Sequence, residues 1–187
     1  MEKTKYELTT ENLTVVFNNA FNKSVIRDLT SSEYNLLMGL LFKLKKKKLQ
    51  EVRVSFSEIL KLSGVRSYHK KDIVRLVKSM WNKVKSTDYT LFVQDGNGLD
   101  DAGSVILFSW FSIDKENSEI RLKINPDLQY FVNEFTSGNY TSLKLKDFQE
   151  TKDRYGKGLF KLLSQYIHTG FYKVKRDTLM NLLDVPR

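Results

Sequence analysis

The stretch SYHKKDIVRLVKSMW, Ser67 to Trp81, interleaves an apolar sequence with a basic one, and a helix is the fold that separates them. At about 100° per residue, Ile73, Leu76, Val77, Met80, Trp81 and Val84 fall within one sector, while Lys71, Arg75, Lys78, Asn82 and Lys85 lie roughly 150° away. The first set requires a core on one side. The second holds four basic groups and no acid, whereas a face that serves solubility alone mixes signs to gain i,i+4 pairs. Asp72 lies in the first turn, where a negative charge favours the helix dipole. The spacing therefore predicts a surface helix whose outer ridge faces a polyanion.

Charge placement points the same way. The formal charge of the 187-residue chain is +9, yet residues 41–86 hold 14 Lys and Arg against Glu51, Glu58 and Asp72, leaving −2 for the rest. With 41% hydrophobic residues and two prolines, the chain has enough apolar material for a packed core in one or two small domains. The absence of cysteine excludes disulfides and thiolate metal sites and fits a cytoplasmic protein. The opening MEKTKYELTT has no signal-peptide core and no apolar run approaches a membrane span, so a soluble protein without a membrane partner is expected.

Around the basic helix the signals alternate. Val15, Phe17 and Phe21 suggest a strand or short helix packed on the body. Thr30 and Glu33 stand at capping-box spacing, with Leu29 placed to staple against Tyr34, and Leu37, Leu40, Leu41 and Leu44 give that helix a core face before Lys45–Lys48 end it. Residues 51–56 alternate as a short strand; Ser55 and Glu58 then cap a helix that Gly64 stops, and Ser67 is placed to cap the basic helix. Tyr89–Gln94 reads as a strand, DGNGLDDAGS (Asp95–Ser104) as a turn segment or acidic wing, and Val105–Ile113 with Ser118–Ile124 as a hairpin. Asn125-Pro126 opens a helix with Leu128, Phe131, Val132 and Phe135 on one face. Beyond it no strand signal is clear, and Leu143–Tyr166 and Thr178–Leu183 read as helices, with Gly156 and Gly158 marking a hinge, a tight crossing or a later helix start.

Helix, strand, helix, turn, helix and hairpin follow in winged-helix order, so the expected class is α+β: a winged helix-turn-helix over 1–137, then a linking helix and the start of a second winged-helix unit over 138–187. In a helix-turn-helix the first residues of the second helix meet the base edges, which nominates Arg66, Ser67, Tyr68, His69, Lys70 and Lys71, with Arg75 and Lys78 further along the ridge. Arg66 is suited to guanine or phosphate, Ser67 to phosphate, and the lysines to backbone charge.

Catalytic signals are missing. His69 and His168 sit in unrelated contexts, no phosphate loop or dinucleotide fingerprint is present, and Gly96, Gly98 and Gly103 lie beside Asp100 and Asp101, a poor phosphate cradle. No nucleophile stands with a base, so neither enzyme activity nor a metal or cofactor is expected. Trp81, Phe108, Trp110 and Phe111 suit a core or a self-association surface better than base stacking, and the hairpin edge suits a dimer. Two rival readings stay open on the residues alone: a regulator on a palindromic operator, and a self-association module that ignores DNA.

YGKGLFKLLSQYIHTGFYKVKRDTLMNLLDVP, Tyr155 to Pro186, resembles the start of the second winged-helix unit of iteron-binding plasmid replication initiators, through Tyr155, Leu159, Phe160, Leu162, Leu163, Gly170, Leu179, Leu182, Leu183 and Val185-Pro186. LTSSEYNLLMGLL, VSFSEILKLSG and Asn139-Tyr140-Thr141 fall in the same family order upstream. The resemblance implies two tandem winged helices binding directly repeated origin sequences in double-stranded DNA as monomers, and a homodimer through the first unit that represses the initiator's own promoter. It further implies a first unit with mainly backbone contacts, host initiator and helicase as partners, and no catalysis. The sequence ends at Arg187, before the recognition helix and wing that the second unit has in the family.

Overall fold

A computed structural model describes residues 13–66, 69–87, 89–95, 98–133 and 139–186. Its centre is α1 (Ser31–Leu44), opened by a reciprocal cap in which the Thr30 amide donates to Glu33 Oε2 at 2.7 Å and the Glu33 amide donates to Thr30 Oγ1 at 3.3 Å. Leu36, Leu37, Met38, Leu40, Leu41 and Leu44 are all fully buried. A helix apolar on nearly every side belongs in the middle of a core. Leu29 is buried just before it, and Tyr34 packs against the same core.

Against α1 lie α2 (Phe56–Ser63), which β2 (Val52–Ser55) leads into, and α3 (Lys70–Lys85). Ser55 and Glu58 form a second capping box, and Gly64 ends α2 in the left-handed region at φ 70°, which glycine enters without steric cost. β5 (Phe108–Asp114) and β6 (Glu119–Ile124) form an antiparallel hairpin, and β2 joins it on the far side of β6 in the order β2-β6-β5. The register sets Val54, Ile120 and Ile113 side by side. Period-2 alternation thus turns one face of the sheet toward α1 and α3. This is a winged helix, and the tight turn between β5 and β6 holds the wing position.

The segment expected to be an acidic wing is something else. Gly98–Val105 forms a strand, β4, paired antiparallel with β3 (Tyr89–Asp95) in a separate two-stranded sheet, so Val105 closes that hairpin rather than opening the next. Glycines and aspartates read as turn formers on propensity alone, and strand pairing outweighs that preference here.

A second departure follows residue 137. Tyr140–Lys144 is a strand, β7, paired with β1 (Thr14–Asn18), and the expected helix from Leu143 to Tyr166 divides into α4 (Leu145–Glu150) and α5 (Arg154–Ser164). β7 buries only Thr141 and Leu143, too brief an alternation to register as a strand in the sequence. Thr141 is held by side-chain hydrogen bonds with Asn22 and Asn19 at 2.8 and 2.7 Å. Leu143, Leu145 and Phe148 belong to the same core as α1, which therefore does not stop at residue 137.

Asp153 caps α5 by accepting from the Gly156 amide at 2.7 Å, so Gly156 sits in a first turn. Gly158 marks a close crossing: a Cβ there would lie 3.0 Å from Leu183 Cδ2. α6 (Arg176–Leu182) follows a left-handed Gly170 and buries none of its own residues. The helix expected at Asn125-Pro126 is a short 3-10 helix, Pro126–Phe131, that buries Leu128 and Phe131; Phe135 lies outside the described residues.

Candidate nucleic-acid interface

α3 separates its two sequences as their spacing predicts. Ile73, Val77, Met80 and Val84 are buried, Val74, Leu76 and Trp81 pack at the margin, and Lys70, Lys71, Arg75, Lys78, Asn82 and Lys85 are exposed. Trp81 fixes the helix to the sheet by stacking on Phe111, with ring centroids 4.6 Å apart and planes 7° from parallel. Phe108 extends the stack at 6.1 Å, so three of the four aromatics singled out in the sequence are core, and Trp110 is 54% exposed.

The other end of α3 is tied to α1. Lys83 Nζ donates to Glu33 Oε2 at 2.7 Å, and the Glu33 side chain is 4% exposed. Burial alone would raise the Glu33 carboxyl, but hydrogen bonds from Lys83, Ser79 and Thr30 outweigh it and hold the group below its ordinary value of 4.5. A depressed carboxyl contributes stability that is whole above pH 4.5 and lost as pH falls through the lower folded value. Glu33→Gln is thus expected to lower stability near neutrality by about 2 kcal/mol and to flatten its acid limb, checked by urea unfolding across the acid range.

Six of the eight residues nominated for contact are described, and all six (Arg66, His69, Lys70, Lys71, Arg75 and Lys78) are exposed, at the turn after α2 and along α3. Ser67 and Tyr68 lie outside the described residues. The helix opens later than a Ser67 cap requires. His69 is the N-cap, without a side-chain cap bond, and its carbonyl accepts from the Asp72 amide at 3.0 Å. Arg75 donates to Asp72 at 2.9 Å with its side chain 76% exposed, a solvent-screened pair worth a few tenths of a kcal/mol that leaves the guanidinium free to exchange partners.

The basic block from 41 to 86 is not all ridge. Lys43 pairs with Glu58 and Lys83 with Glu33, so these two charges serve the fold, while Arg53, 61% exposed, makes only solvent-screened pairs with Glu51 at 3.4 Å and Glu119 at 4.0 Å. Lys157 and Lys161 of α5 are buried, against the usual surface placement of lysine. Their helical spacing with Leu162, i and i+4 beside an apolar residue, was the available signal. Among the described residues no three His, Cys, Asp or Glu side chains gather as a metal site, and no helix is long and apolar enough to cross a membrane.

Comparison with known proteins extends this geometry. The structure is similar to the crystal structure of the Pi initiator protein in complex with iteron DNA, with a TM-score of 0.69 over 93% of this chain and 73% of that one at 11% identity, a likeness of fold. The "Probable replication protein rep" of Bifidobacterium longum (strain NCC 2705) is 25% identical over 176 residues, which cover 92% of this chain and 57% of the relative. The chain thus spans little more than half the length of that relative. Residues 14–164 match the model of the family described as "Initiator Replication protein, WH1", a span that runs from β1 through α5 and takes in the whole winged-helix core. The chain belongs to the initiator replication protein family, and its winged helix is that family's WH1 domain.

Proposed function

We propose that the chain is the N-terminal part of a plasmid replication initiator, which binds the repeats of its origin and works in the cytoplasm on double-stranded DNA. The observation that carries this reading is the outer face of α3, where Lys70, Lys71, Arg75 and Lys78 are exposed while the apolar side is buried. The ridge lies against the sugar-phosphate backbone, and Arg66 and His69, at the leading end of the helix, approach the bases. Family membership, the WH1 span and the fold shared with an initiator that was crystallised on iteron DNA support it.

In this reading the first unit runs through α4, and α5 links it to a second unit that α6 begins. Self-association uses β5, an edge strand of the β2-β6-β5 sheet that carries the exposed Trp110. The host initiator and helicase are the further partners. The protein holds and presents DNA and performs no chemistry on it.

The test is titration of origin-repeat duplex with Lys71→Glu and Arg75→Glu together. Two lost phosphate contacts should flatten the salt slope by about 2 and weaken binding at least tenfold. Unchanged affinity and slope would remove α3 from the interface. A gel shift comparing tandem direct repeats with one palindrome separates an initiator from an operator-binding regulator, since the initiator prefers the tandem layout.

A further inference from the structure

We propose that the loop after α1, Lys45 to Lys48 with the adjoining Leu49, is a docking surface for an acidic peptide segment of a partner protein, separate from the α3 ridge. Lys46, Lys47 and Lys48 are exposed, Lys45 is half-buried, and Leu49 is 46% exposed. Among the described residues no carboxylate pairs with any of the four lysines: Glu51, the next acid in the chain, pairs with Arg53 at 3.4 Å, and Glu58 pairs with Lys43. The loop enters β2 at Val52. The other end of β2 meets the β5–β6 turn, where the Phe56 amide donates to the Ser118 carbonyl at 2.8 Å, and the leading end of α3 lies there too, since Lys70 and Lys71 line one groove with Phe56.

Helix termination does not account for the lysine run. α1 already carries Lys43 in its last turn, and the attraction of a cation to the carbonyl end fades beyond that turn. The backbone makes lysine a costly choice: Lys46 adopts φ 62° and Lys48 φ 51°, the left-handed region that glycine and asparagine enter with less strain. Four adjacent like charges add mutual repulsion. The loop is nevertheless well held. The Lys47 amide donates to the Leu44 carbonyl and the Gln50 amide to the Lys47 carbonyl, both at 3.0 Å, and the Lys48 amide donates to Asn133 Oδ1 at 3.2 Å. The lysines therefore project from a fixed frame, so ordering them on a ligand costs side-chain entropy alone.

Charge complementarity and the leucine together select the occupant. Carboxylates answer the ammonium groups, and an apolar side chain set among them covers Leu49. A duplex would press phosphates against Leu49, and a lipid surface needs more buried hydrocarbon than one leucine supplies. An acidic peptide with a single apolar residue uses every exposed group of the loop.

The experiment measures fluorescence anisotropy of a labelled peptide, DEDLEDE, titrated with the full chain. Two double variants are compared: Lys46→Asn with Lys48→Asn, and, as a charge-matched control on remote exposed lysines, Lys152→Asn with Lys173→Asn. The loop variant should bind the peptide about five- to thirtyfold more weakly, and the control should match the parent. Replacing the peptide's leucine with serine should weaken binding to the parent about threefold. Asparagine suits the left-handed region, so the loop variant should melt at or above the parent's temperature, which separates a lost contact from a lost fold. Origin-repeat duplex binding should be the same in the loop variant and the control. A parent that ignores the peptide, or a loop variant that binds it no more weakly than the control, overturns the proposal. So does a loop variant that loses duplex affinity relative to the control, which would make the loop a DNA contact, or one that loses binding to phosphatidylglycerol vesicles while keeping the peptide.

Discussion

Lys161→Met is expected to stabilise the protein by about 3 kcal/mol at neutral pH, with a gain that shrinks as the solution is made alkaline. Lys161 projects from α5 into the first unit and is 5% exposed. Its ammonium donates to the Phe21 carbonyl at 3.4 Å, and lies 4.9 Å from the Phe21 ring centroid and 5.9 Å from that of Tyr34. Ring faces recover part of the desolvation cost, about 1 kcal/mol, but no ion pair to Lys161 appears among the described residues. Burial therefore pushes its pKa down to about 7 from 10.5. Methionine fills similar volume, and the Phe21 carbonyl keeps its hydrogen bond from the Ser24 amide at 3.2 Å.

The sign of the pH dependence follows from that direction. The folded value lies below the unfolded one, so the unfolded chain binds more protons between about 7 and 10.5, and wild-type stability rises with pH through that window. Below it the penalty is whole, and above it the penalty is gone. Urea unfolding of wild type and Lys161→Met at several pH values checks this, and a difference that stays constant with pH would show that the amine is not a lone buried charge. Lys157, lowered to about 8 by burial and partly restored by Asp153, should behave alike with a smaller span; its ammonium has the Phe148 and Gln149 carbonyls. Both lysines sit where α5 docks, beside the Arg154 ion pairs with Asp28 at 3.2 Å and Asp184 at 3.7 Å, so the dock is weaker than its apolar contacts alone would make it.

What could be read from the sequence follows from how local each signal is. The caps at Thr30–Glu33 and Ser55–Glu58, the stop at Gly64 and the two faces of α3 depend on residues within one or two turns, and the structure places them as their spacing predicts. β7 and β4 were missed because their strand character comes from distant partners: Thr141 and Leu143 need β1, and Gly98–Val105 needs β3. The ridge itself was legible. Its charge-paired neighbours were not, since Lys83 looks like any other lysine until Glu33 is placed 2.7 Å from it.

Gly39→Ala is expected to cost about 3 kcal/mol, against the gain of about 1 kcal/mol that alanine normally brings to a helix interior. Gly39 is buried on α1 at its crossing with α2, and a Cβ built there would lie 2.7 Å from Leu62 Cβ, 2.8 Å from Leu62 Cδ2 and 3.0 Å from Leu62 Cγ. A flexible tip could rotate away; Leu62 Cβ is fixed to the backbone, so α2 itself must move. α2 carries the turn into α3, so the same shift would displace the proposed DNA-contacting ridge. Gly39→Ala should therefore lower the urea midpoint and also weaken duplex binding at temperatures where the variant remains folded. A variant that lost stability yet bound duplex DNA with the parent's affinity and salt slope would show that the spacing of α1 and α2 does not set the DNA-binding surface. Gly39→Ser and replacements by still larger side chains should be worse in proportion to their volume, because the obstruction begins at the first carbon.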